Sequence, residues 1–412
     1  MSDVRPFRAL RPRPELAARV AAPPYDVISS DEARVMAAGN EISFLHVNKP
    51  EIDLPPEISL YDDRVYATGA RNLRRLMGAG VLVREAEPRF YVYQQKMGDH
   101  VQAGIVAAAS CQEYADGLIK RHEFTRKDKE DDRTRHTHEL NANAGPVFLT
   151  YRKRADIDAI VDGVRKGSPV YDFVAPDGIA HTVWIVPADQ TEAVRAAFRG
   201  VPALYVADGH HRAASAARVG LERKAANPVH KGDEPYCYFL VVLFPHDQLR
   251  ILDYNRVVKD LGGFSEKEFL KKVGEKFTVA PAPEPRPDAP RRFGMFLGGK
   301  WYRLGAKPGT FAADDPVRSL DAAILQENLL APVLGIADVR TDKRIDFVGG
   351  IRGLGELEKR VKEGWAVAFA LFPVSLDQLM SVADAGLVMP PKSTWFEPKL
   401  RSGLLVRTLD TW

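Results

Sequence analysis

The sequence has few cysteines, no long hydrophobic run and almost no net charge, and each absence excludes a class of protein. Two cysteines, Cys111 and Cys237, are too few for a disulfide framework, and a zinc cluster built on cysteine is excluded as well. Both lie in apolar, strand-like runs, which predict reduced, buried thiols. The longest apolar run, "YFLVVLF" at 238–244, is far shorter than the roughly 20 residues of a membrane span.

Charge and the N-terminal composition narrow the class of protein further. The chain carries 58 basic and 55 acidic residues, and the net charge of +3 gives no overall field for nucleic acid. An anion site must therefore be local, and we do not expect DNA as a partner. Because residues 1–20 lack the apolar run of a secretion signal, we expect a cytoplasmic protein without a membrane partner.

A proline-rich segment at 279–292, "VAPAPEPRPDAPRR", is the clearest break in composition. It contains five prolines and almost nothing to bury, which predicts an extended connector. It is either a linker between domains or a surface excursion between two strands. With 412 residues the chain fits two or three domains. We therefore expect an N-terminal α/β domain at 1–278 and a C-terminal α/β domain at 293–412 that packs back on the site.

Alternating and apolar runs interleave with helical patterns along the chain, which predicts a mixed α/β (α+β) fold with mixed sheets flanked by helices. The expected strands of the N-terminal domain are 89–96, 101–110, 146–153, 182–187, 203–208 and 236–244. Its expected helices are 30–39, 63–80, 191–198 and 211–226.

The stretch "ALYVADGHHRAASAARV", residues 203–219, places five polar or flexible residues between an apolar strand and an alanine-rich helix. Backbone N–H groups at such a helix N-terminus point into one small volume and attract anions. Gly209 permits close approach of a ligand, and Arg212 offers a bidentate contact to phosphate. His210 and His211 are able to donate hydrogen bonds or protons. The pattern predicts a phosphate site.

Asp208 is the odd member of this turn, because a carboxylate repels phosphate unless a cation or a hydroxyl proton lies between them. It therefore indicates a Mg²⁺ site or a base. The structural alternative is that Asp208 caps the helix and that Arg212 and the histidines are solvated.

Several motifs in the same order resemble the domain-of-unknown-function family 1015 (DUF1015). They are "VRPFRALRP", "APPYDVIS", "HEFTRKDKEDDR", "NAGPVFLTY", "ADGHHRAASAA", "MPPKSTWFEPKL" and "SGLLVRTL". The "DGHHR" turn additionally resembles the phosphate-binding turn of the ParB/sulfiredoxin superfamily, which includes nucleotide-dependent free serine kinases. The resemblance implies a ParB/sulfiredoxin-like phosphate-binding core with an additional C-terminal α/β region, ATP or ADP as the nucleotide, and Mg²⁺.

The segment 122–139 is too charged for a core element. Its residues 126–139 are typical of a solvated loop and helix face. His122 and Glu123 follow an apolar run and match the family motif, and Glu123 is the candidate base for a hydroxyl that is phosphorylated. We name Thr125 and Arg133 of this segment as supporting residues.

Three other loops supply candidates for which a structural role is as well supported. "AAPPYDVIS" presents Asp26 on a rigid turn, and "LHVNKPE" places Asn48 at a strand end. "MPPKSTWFEPK" offers Lys392, Ser393 and Thr394 to phosphate, but it lacks the glycine-rich loop of a Walker A motif. Its alternative is an ordered loop anchored by aromatic residues.

We expect a nucleotide-dependent phosphotransferase acting on a small hydroxylated metabolite, with free L-serine as the acceptor that the resemblance implies. Here Gly209, His210, His211 and Arg212 bind phosphates, Asp208 organises Mg²⁺, and Glu123 accepts the proton. The alternatives are a nucleotide-switched ParB-like binding protein and a phosphohydrolase that uses the same site. Sulfiredoxin-like repair needs a reactive cysteine at the turn, which the sequence lacks.

Overall fold

Strands and helices follow one another along the whole chain in a computed structural model that describes residues 2–412. The strands before residue 250 are β1 (Val4–Arg5), β2 (Leu10–Pro12), β3 (Leu82–Arg84), β4 (Tyr91–Met97), β5 (His100–Ser110), β6 (Ile119–Lys120), β7 (Ala142–Asn143), β8 (Val147–Tyr151), β9 (Tyr171–Val174), β10 (Ala180–Ile185), β11 (Leu204–Asp208) and β12 (Tyr238–Pro245). The later strands are β13 (Arg250–Leu252), β14 (Tyr254–Val258), β15 (Phe277–Pro281), β16 (Arg292–Leu297), β17 (Lys300–Ala306), β18 (Ile345–Gly349), β19 (Val367–Ala370), β20 (Trp395–Glu397) and β21 (Arg407–Thr408).

The α-helices before residue 250 are α1 (Ala17–Val20), α2 (Ser30–Ala37), α3 (Leu45–Asn48), α4 (Asp63–Gly78), α5 (Cys111–Ala115), α6 (Lys127–Leu140), α7 (Ala155–Arg165), α8 (Thr191–Arg199) and α9 (His210–Ala226). The later ones are α10 (Glu266–Lys276), α11 (Asp321–Leu325), α12 (Leu354–Lys362) and α13 (Leu376–Asp384). None of the helices within residues 2–412 has the length and apolar character to cross a membrane.

The first unit comprises residues 2–121, 125–249 and 398–412. Its main sheet has nine strands in the order β6-β11-β8-β12-β5-β4-β10-β9, with β1 paired to β5. The sheet is mixed, because β12 runs parallel to β8 and antiparallel to β5. Apolar side chains of β5, β8, β11 and β12 pack with α7, α8 and α9 in one core. This core fixes the end of β11, where the sequence predicts the phosphate site.

The second unit comprises residues 122–124 and 250–397. Six of its strands form one antiparallel sheet in the order β15-β17-β16-β19-β14-β18, and β13 pairs separately with β20. The buried side chains of this sheet pack with those of α10 and α11 in one cluster and with α12 in another. The predicted mixed α/β class, with sheets flanked by helices, is therefore confirmed.

The domain boundary differs from the one that composition predicts. The proline-rich segment 279–292 begins within β15 and ends at the first residue of β16, and both strands pair with β17. It is thus an excursion between two strands of one sheet. Prolines are tolerated there because β15 is an edge strand. The boundary lies instead between Leu249 and Arg250, and residues 398–412 return to the first unit.

Candidate functional site

A strand, a glycine and a helix form the backbone of the candidate site. β11 ends at Asp208, α9 begins at His210, and Gly209 between them has the left-handed conformation, with φ +88° and ψ 34°. A Cβ at this position would lie 3.1 Å from Cζ and Nε of Arg212. No side chain caps the N-terminus of α9, whose first N–H groups have no partner within the helix. The local geometry predicted for an anion site is present.

Asp208 does not cap this helix, so the capping alternative is wrong for this residue. Its Oδ2 atom accepts a hydrogen bond from Nζ of Lys399 at 3.3 Å and lies 3.7 Å from Nη2 of Arg212. Burial alone would raise the pKa of Asp208, but Lys399 and Arg212 hold it below the usual range. Asp208 is therefore ionised at neutral pH, and two cationic side chains accompany it.

Arg212 is nine-tenths buried, with a side chain that is 10% exposed. Its Nη1 atom donates to the carbonyl oxygen of Pro146, and Nη2 lies 3.8 Å from the carboxylate of Asp26. The Nε atom is buried and has no hydrogen-bond partner among residues 2–412. A buried N–H group without an acceptor is costly, by roughly 1–3 kcal/mol. This guanidinium is therefore suited to an anionic ligand and is not a solvated surface group.

The two histidines of the turn have different environments. His210 is buried, and this burial lowers its pKa to about 4, so the ring is neutral at pH 7. His211 accepts a hydrogen bond at Nε2 from the backbone N–H of Arg126, at 3.1 Å. Because Arg126 is the N-cap residue of α6, His211 joins the start of α6 to the start of α9. Thr125, one residue earlier, donates its hydroxyl to Glu130 at 2.8 Å.

One face of α6 is buried, so the reading of 126–139 as a solvated face is wrong for that side of the helix. Arg133 donates from Nε to Asp132 at 2.8 Å, and its Cζ lies 4.2 Å from the centre of the Tyr25 ring. Tyr66 donates its hydroxyl to the same carboxylate at 2.8 Å. Arg133 therefore supports the turn that carries Tyr25 and Asp26. The buried polar side chains of α6 are Asp132, Thr134, His136 and Thr137.

A small cavity lies beside Arg212. Its wall includes Tyr25, Asn48, Arg133 and Arg212, and its volume is about 40 Å³. This volume admits water but not a nucleotide. Asn48 thus lines a buried polar space and is itself buried.

The remaining predicted residues belong to the second unit. His122 and Thr394 contact each other there, with Nε2 of the ring 3.4 Å from Oγ1 of the hydroxyl. Ser393 donates to the carbonyl oxygen of Pro390 at 2.6 Å, and Nζ of Lys392 lies 5.8 Å from the centre of the Tyr254 ring. These contacts describe an ordered loop. The predicted residues therefore divide between the units: Asp26, Asn48, Thr125, Arg133, Asp208, Gly209, His210, His211 and Arg212 in the first, and His122, Glu123, Lys392, Ser393 and Thr394 in the second.

Sequence reasoning placed Lys399 among the polar residues of the loop 389–399 but missed it as the partner of Asp208, because 191 residues separate them. It also missed Gln95 of β4, which donates from Nε2 to the backbone oxygen of Lys399 at 2.9 Å. Gln95 is fully buried. The sequence offers no clear signal for it, because Gln95 stands between Gln94 and Lys96 and nothing in the strand marks it as the buried amide.

The carboxylates near Arg212 allow a test of the predicted Mg²⁺ site. Within residues 2–412, Asp208 belongs to no group of three or more His, Cys, Asp or Glu whose donor atoms lie within 4.8 Å of one another. Protein-bound Mg²⁺ commonly uses one or two carboxylates together with phosphate oxygens and water. Within the described residues, Asp208 thus has no ready-made set of metal ligands, and a Mg²⁺ at this carboxylate would need phosphate oxygens and water as its other ligands.

Comparison with known proteins gives one family and distant structural similarities. A family model described as "Protein of unknown function (DUF1015)" matches residues 4–323. No curated protein matches the chain.

Three solved structures illustrate the structural similarities. Free serine kinase in complex with AMP is 13% identical, with a TM-score of 0.37, and the match covers 73% of this chain and 91% of that one. A conserved hypothetical protein from Pyrococcus furiosus is 12% identical, with a TM-score of 0.36 and coverage of 75% and 97%. SbnI with a C-terminal truncation, from Staphylococcus aureus, is 13% identical, with a TM-score of 0.39 and coverage of 73% and 87%. Similarity at this level carries no functional conclusion for this chain.

Proposed function

The chain belongs to the DUF1015 family, whose function is unknown, and from its site we propose a nucleotide-dependent phosphotransferase that acts on a small hydroxylated metabolite. The observation that carries the proposal is the nine-tenths buried Arg212, whose unpartnered Nε lies 3.1 Å from where a Cβ on Gly209 would be. The uncapped first turn of α9 begins at His210, directly after Gly209. Backbone N–H groups and a guanidinium together are the usual ligands of phosphate.

The charges around the turn support a polyphosphate rather than a neutral ligand. Arg212 and Lys399 supply two cations, and Asp208 is ionised between them. We propose that Lys399 and Arg212 contact phosphate oxygens, while Asp208 orients both cations. When Mg²⁺ is bound with the nucleotide, it would supply further charge neutralisation, and Asp208 and Asp26 are the carboxylates we assign to it.

Proton transfer needs a base near the acceptor hydroxyl, and Glu123 remains our candidate. Glu123 lies three residues before Arg126 in the sequence. The backbone N–H of Arg126 donates a hydrogen bond to the ring of His211 in the turn. His210 is neutral at pH 7, so it is able to donate one hydrogen bond to a phosphate oxygen without adding charge. Free L-serine is the first acceptor to test, because the "DGHHR" turn resembles that of free serine kinases.

A thermal-shift measurement with ATP, ADP and pyrophosphate, each with and without Mg²⁺, tests the phosphate site. A ligand that binds only the native state stabilises it by about 2.7 kcal/mol when its concentration is roughly 100 times Kd. We expect nucleotide to raise the melting temperature of the wild type and to leave that of Arg212→Ala unchanged. Arg218→Ala is the matched control, since Arg218 lies on the same helix but pairs on the surface with Asp131 and Glu222.

An equal nucleotide shift in Arg212→Ala, or no shift with any of the compounds in the wild type, would contradict the assignment. If the site binds nucleotide, turnover with hydroxylated metabolites distinguishes the three candidate functions. Phosphate transferred to the metabolite supports a kinase, release as inorganic phosphate supports a phosphohydrolase, and binding without turnover supports a nucleotide switch. Turnover that is unchanged in Glu123→Gln would remove Glu123 from the mechanism.

A further inference from the structure

The bend that connects α9 to β12 brings three metal-binding side chains together. His230, Glu234 and Cys237 each offer a donor atom, and these atoms all lie within 4.8 Å of one another. The Nδ1 atom of His230 is 2.8 Å from Oε2 of Glu234, and Sγ of Cys237 is 3.8 Å from the same oxygen. All three side chains are partly exposed, so an ion from solvent has access.

We propose that His230, Glu234 and Cys237 bind a divalent transition metal of the Zn²⁺ class. Imidazole, carboxylate and thiolate are the ligand types that zinc takes in proteins, whereas Mg²⁺ and Ca²⁺ prefer oxygen ligands. The three ligands come from one segment, "HKGDEPYC" at 230–237. The site is separate from the phosphate turn and does not rest on the proposed function.

The observed distances are close to those of a tetrahedral zinc site. Typical Zn–N, Zn–O and Zn–S bond lengths place a nitrogen and an oxygen ligand about 3.3 Å apart, and a sulfur and an oxygen ligand about 3.5 Å apart. The corresponding separations here are 2.8 and 3.8 Å. Donor-atom shifts of about half an ångström therefore bring these two separations to the values of a zinc site.

The surroundings hold the central carboxylate in place before any metal binds. Glu234 accepts from the backbone N–H of Lys231 at 2.6 Å through Oε1 and from that of Gly232 at 2.9 Å through Oε2. These two backbone groups orient the carboxylate as outer partners of a metal ligand do. The hydroxyl of Tyr236, which accepts from the amide of Asn227 at 2.8 Å, lies 3.1 Å from Nδ1 of His230 and loses this contact when Nδ1 binds the metal.

The proton balance of binding is simple. The thiol of Cys237 loses its proton to solvent as the sulfur bonds to the metal. Nδ1 of His230 gives up the proton that it shares with Oε2 of Glu234, so that the ring ligates through Nδ1 as imidazole protonated on Nε2. Burial, followed by the charge of Glu234, raises the pKa of Cys237 in the metal-free protein, and a divalent cation reverses the second effect. Three protein ligands leave a fourth position for water.

Cys237 therefore differs from the prediction of a buried strand thiol. It ends a 3-10 helix, Pro235–Cys237, directly before β12, and it is partly exposed, whereas Cys111 is buried. The sequence excluded a cluster built on cysteine, but a mixed site needs only one. The buried thiol of Cys111 therefore serves as the matched control for substitutions at Cys237.

Metal binding to the full chain without a polyhistidine tag tests the proposal directly. Zn²⁺ is titrated in competition with a chromophoric chelator, and Co²⁺ is added in a parallel experiment as a spectroscopic probe. We expect one equivalent of Zn²⁺ to bind, and the Co²⁺ form to show a thiolate-to-cobalt charge-transfer band. Cys237→Ser should abolish this band and weaken Zn²⁺ binding by roughly 100-fold or more. Even the mutation of a residue that only hydrogen-bonds to a metal ligand lowers metal affinity by about 10–100-fold.

Cys111→Ser should retain both the band and the affinity, and His230→Gln should weaken binding while retaining the fold by circular dichroism. The proposal is overturned if no stoichiometric Zn²⁺ binds the wild type. It is equally overturned if Cys237→Ser folds and binds Zn²⁺ as tightly as the wild type, or if the charge-transfer band disappears in Cys111→Ser instead.

Discussion

At the scale of single residues, the ion pairs of Asp208 account for a carboxylate beside the proposed phosphate site. The sequence identified Asp208 as unusual but offered only a metal, a base or a cap. The structure adds Lys399 as its hydrogen-bond partner and Arg212 as a second cation. The repulsion expected between Asp208 and phosphate is therefore offset by side chains of the protein itself.

Removing the charge of Lys399 should destabilise the first unit and weaken phosphate binding. In Lys399→Met we expect the free energy of unfolding to fall by about 2 kcal/mol at pH 7, the usual contribution of a hydrogen bond to a charged group. Since Lys399 and Arg212 lower the pKa of Asp208 below its ordinary 3.8, the stabilisation is complete above that pH and is lost as pH falls below it. The difference between wild type and variant should therefore shrink in acid.

Urea unfolding between pH 7 and pH 3 measures this difference. Lys392→Met is the control, because Lys392 is an exposed lysine seven residues earlier in the sequence. A loss of stability that is the same in both variants, or that does not depend on pH in Lys399→Met, would contradict the role given to the Asp208–Lys399 pair.

At the scale of elements, the turn between β11 and α9 follows from a local sequence pattern. An apolar run, a glycine and an alanine-rich helix predict the strand–turn–helix, and the helix begins one residue earlier than expected, at His210. The charged segment 126–139 was harder to interpret. Its buried face carries polar side chains, of which Asp132 and His136 are hydrogen-bonded within the fold, and hydrophobic periodicity does not detect such a face.

Gly209→Ala should lower the stability of the fold and also weaken nucleotide binding at the proposed site. The left-handed conformation costs a non-glycine residue about 1–2 kcal/mol, and the new Cβ would also press on the guanidinium of Arg212. Gly178→Ala carries the same backbone cost at φ +80°, with no atom within 4 Å of the added Cβ.

We expect both alanine variants to lose stability in urea, but only Gly209→Ala to lose the thermal shift with nucleotide. Retention of that shift in Gly209→Ala would show that close approach to the turn is not needed for binding. A loss of the shift in both variants would attribute the effect to stability alone.

At the scale of the whole molecule, the last fifteen residues decide how the first unit is completed. Residues 398–412 belong to it although 250–397 form the second unit. Their backbone pairs with the N-terminal segment at Leu10–Val406 and Ala22–Ser402, and β21 pairs with β7. Arg407 is fully buried and donates to the carbonyl oxygens of Tyr238 and Pro235. The segment is thus part of the core, and it carries Lys399 to Asp208.

A chain that ends after Glu397 should not fold its first unit cooperatively. The deletion removes five buried apolar side chains at about 2 kcal/mol each, a sum comparable with the typical 5–15 kcal/mol stability of a domain. These side chains are Leu400, Leu404, Leu405, Val406 and Leu409. Urea unfolding followed by circular dichroism measures the loss, and a chain ending after Leu409 serves as the control. An unchanged first transition in the shorter chain would contradict this expectation.

The sequence by itself determined what local patterns encode. Alternation and apolar runs predicted the mixed α/β class and most strands of the first sheet, and the motifs identified the family. Only the tertiary structure decided the boundary at Leu249, the pairing of Lys399 with Asp208, the buried contact of Arg133 with Tyr25 and the cluster at Cys237. The physical reason is that periodicity reports the surroundings of a residue within one element, whereas the partner of a buried charge depends on how distant segments pack.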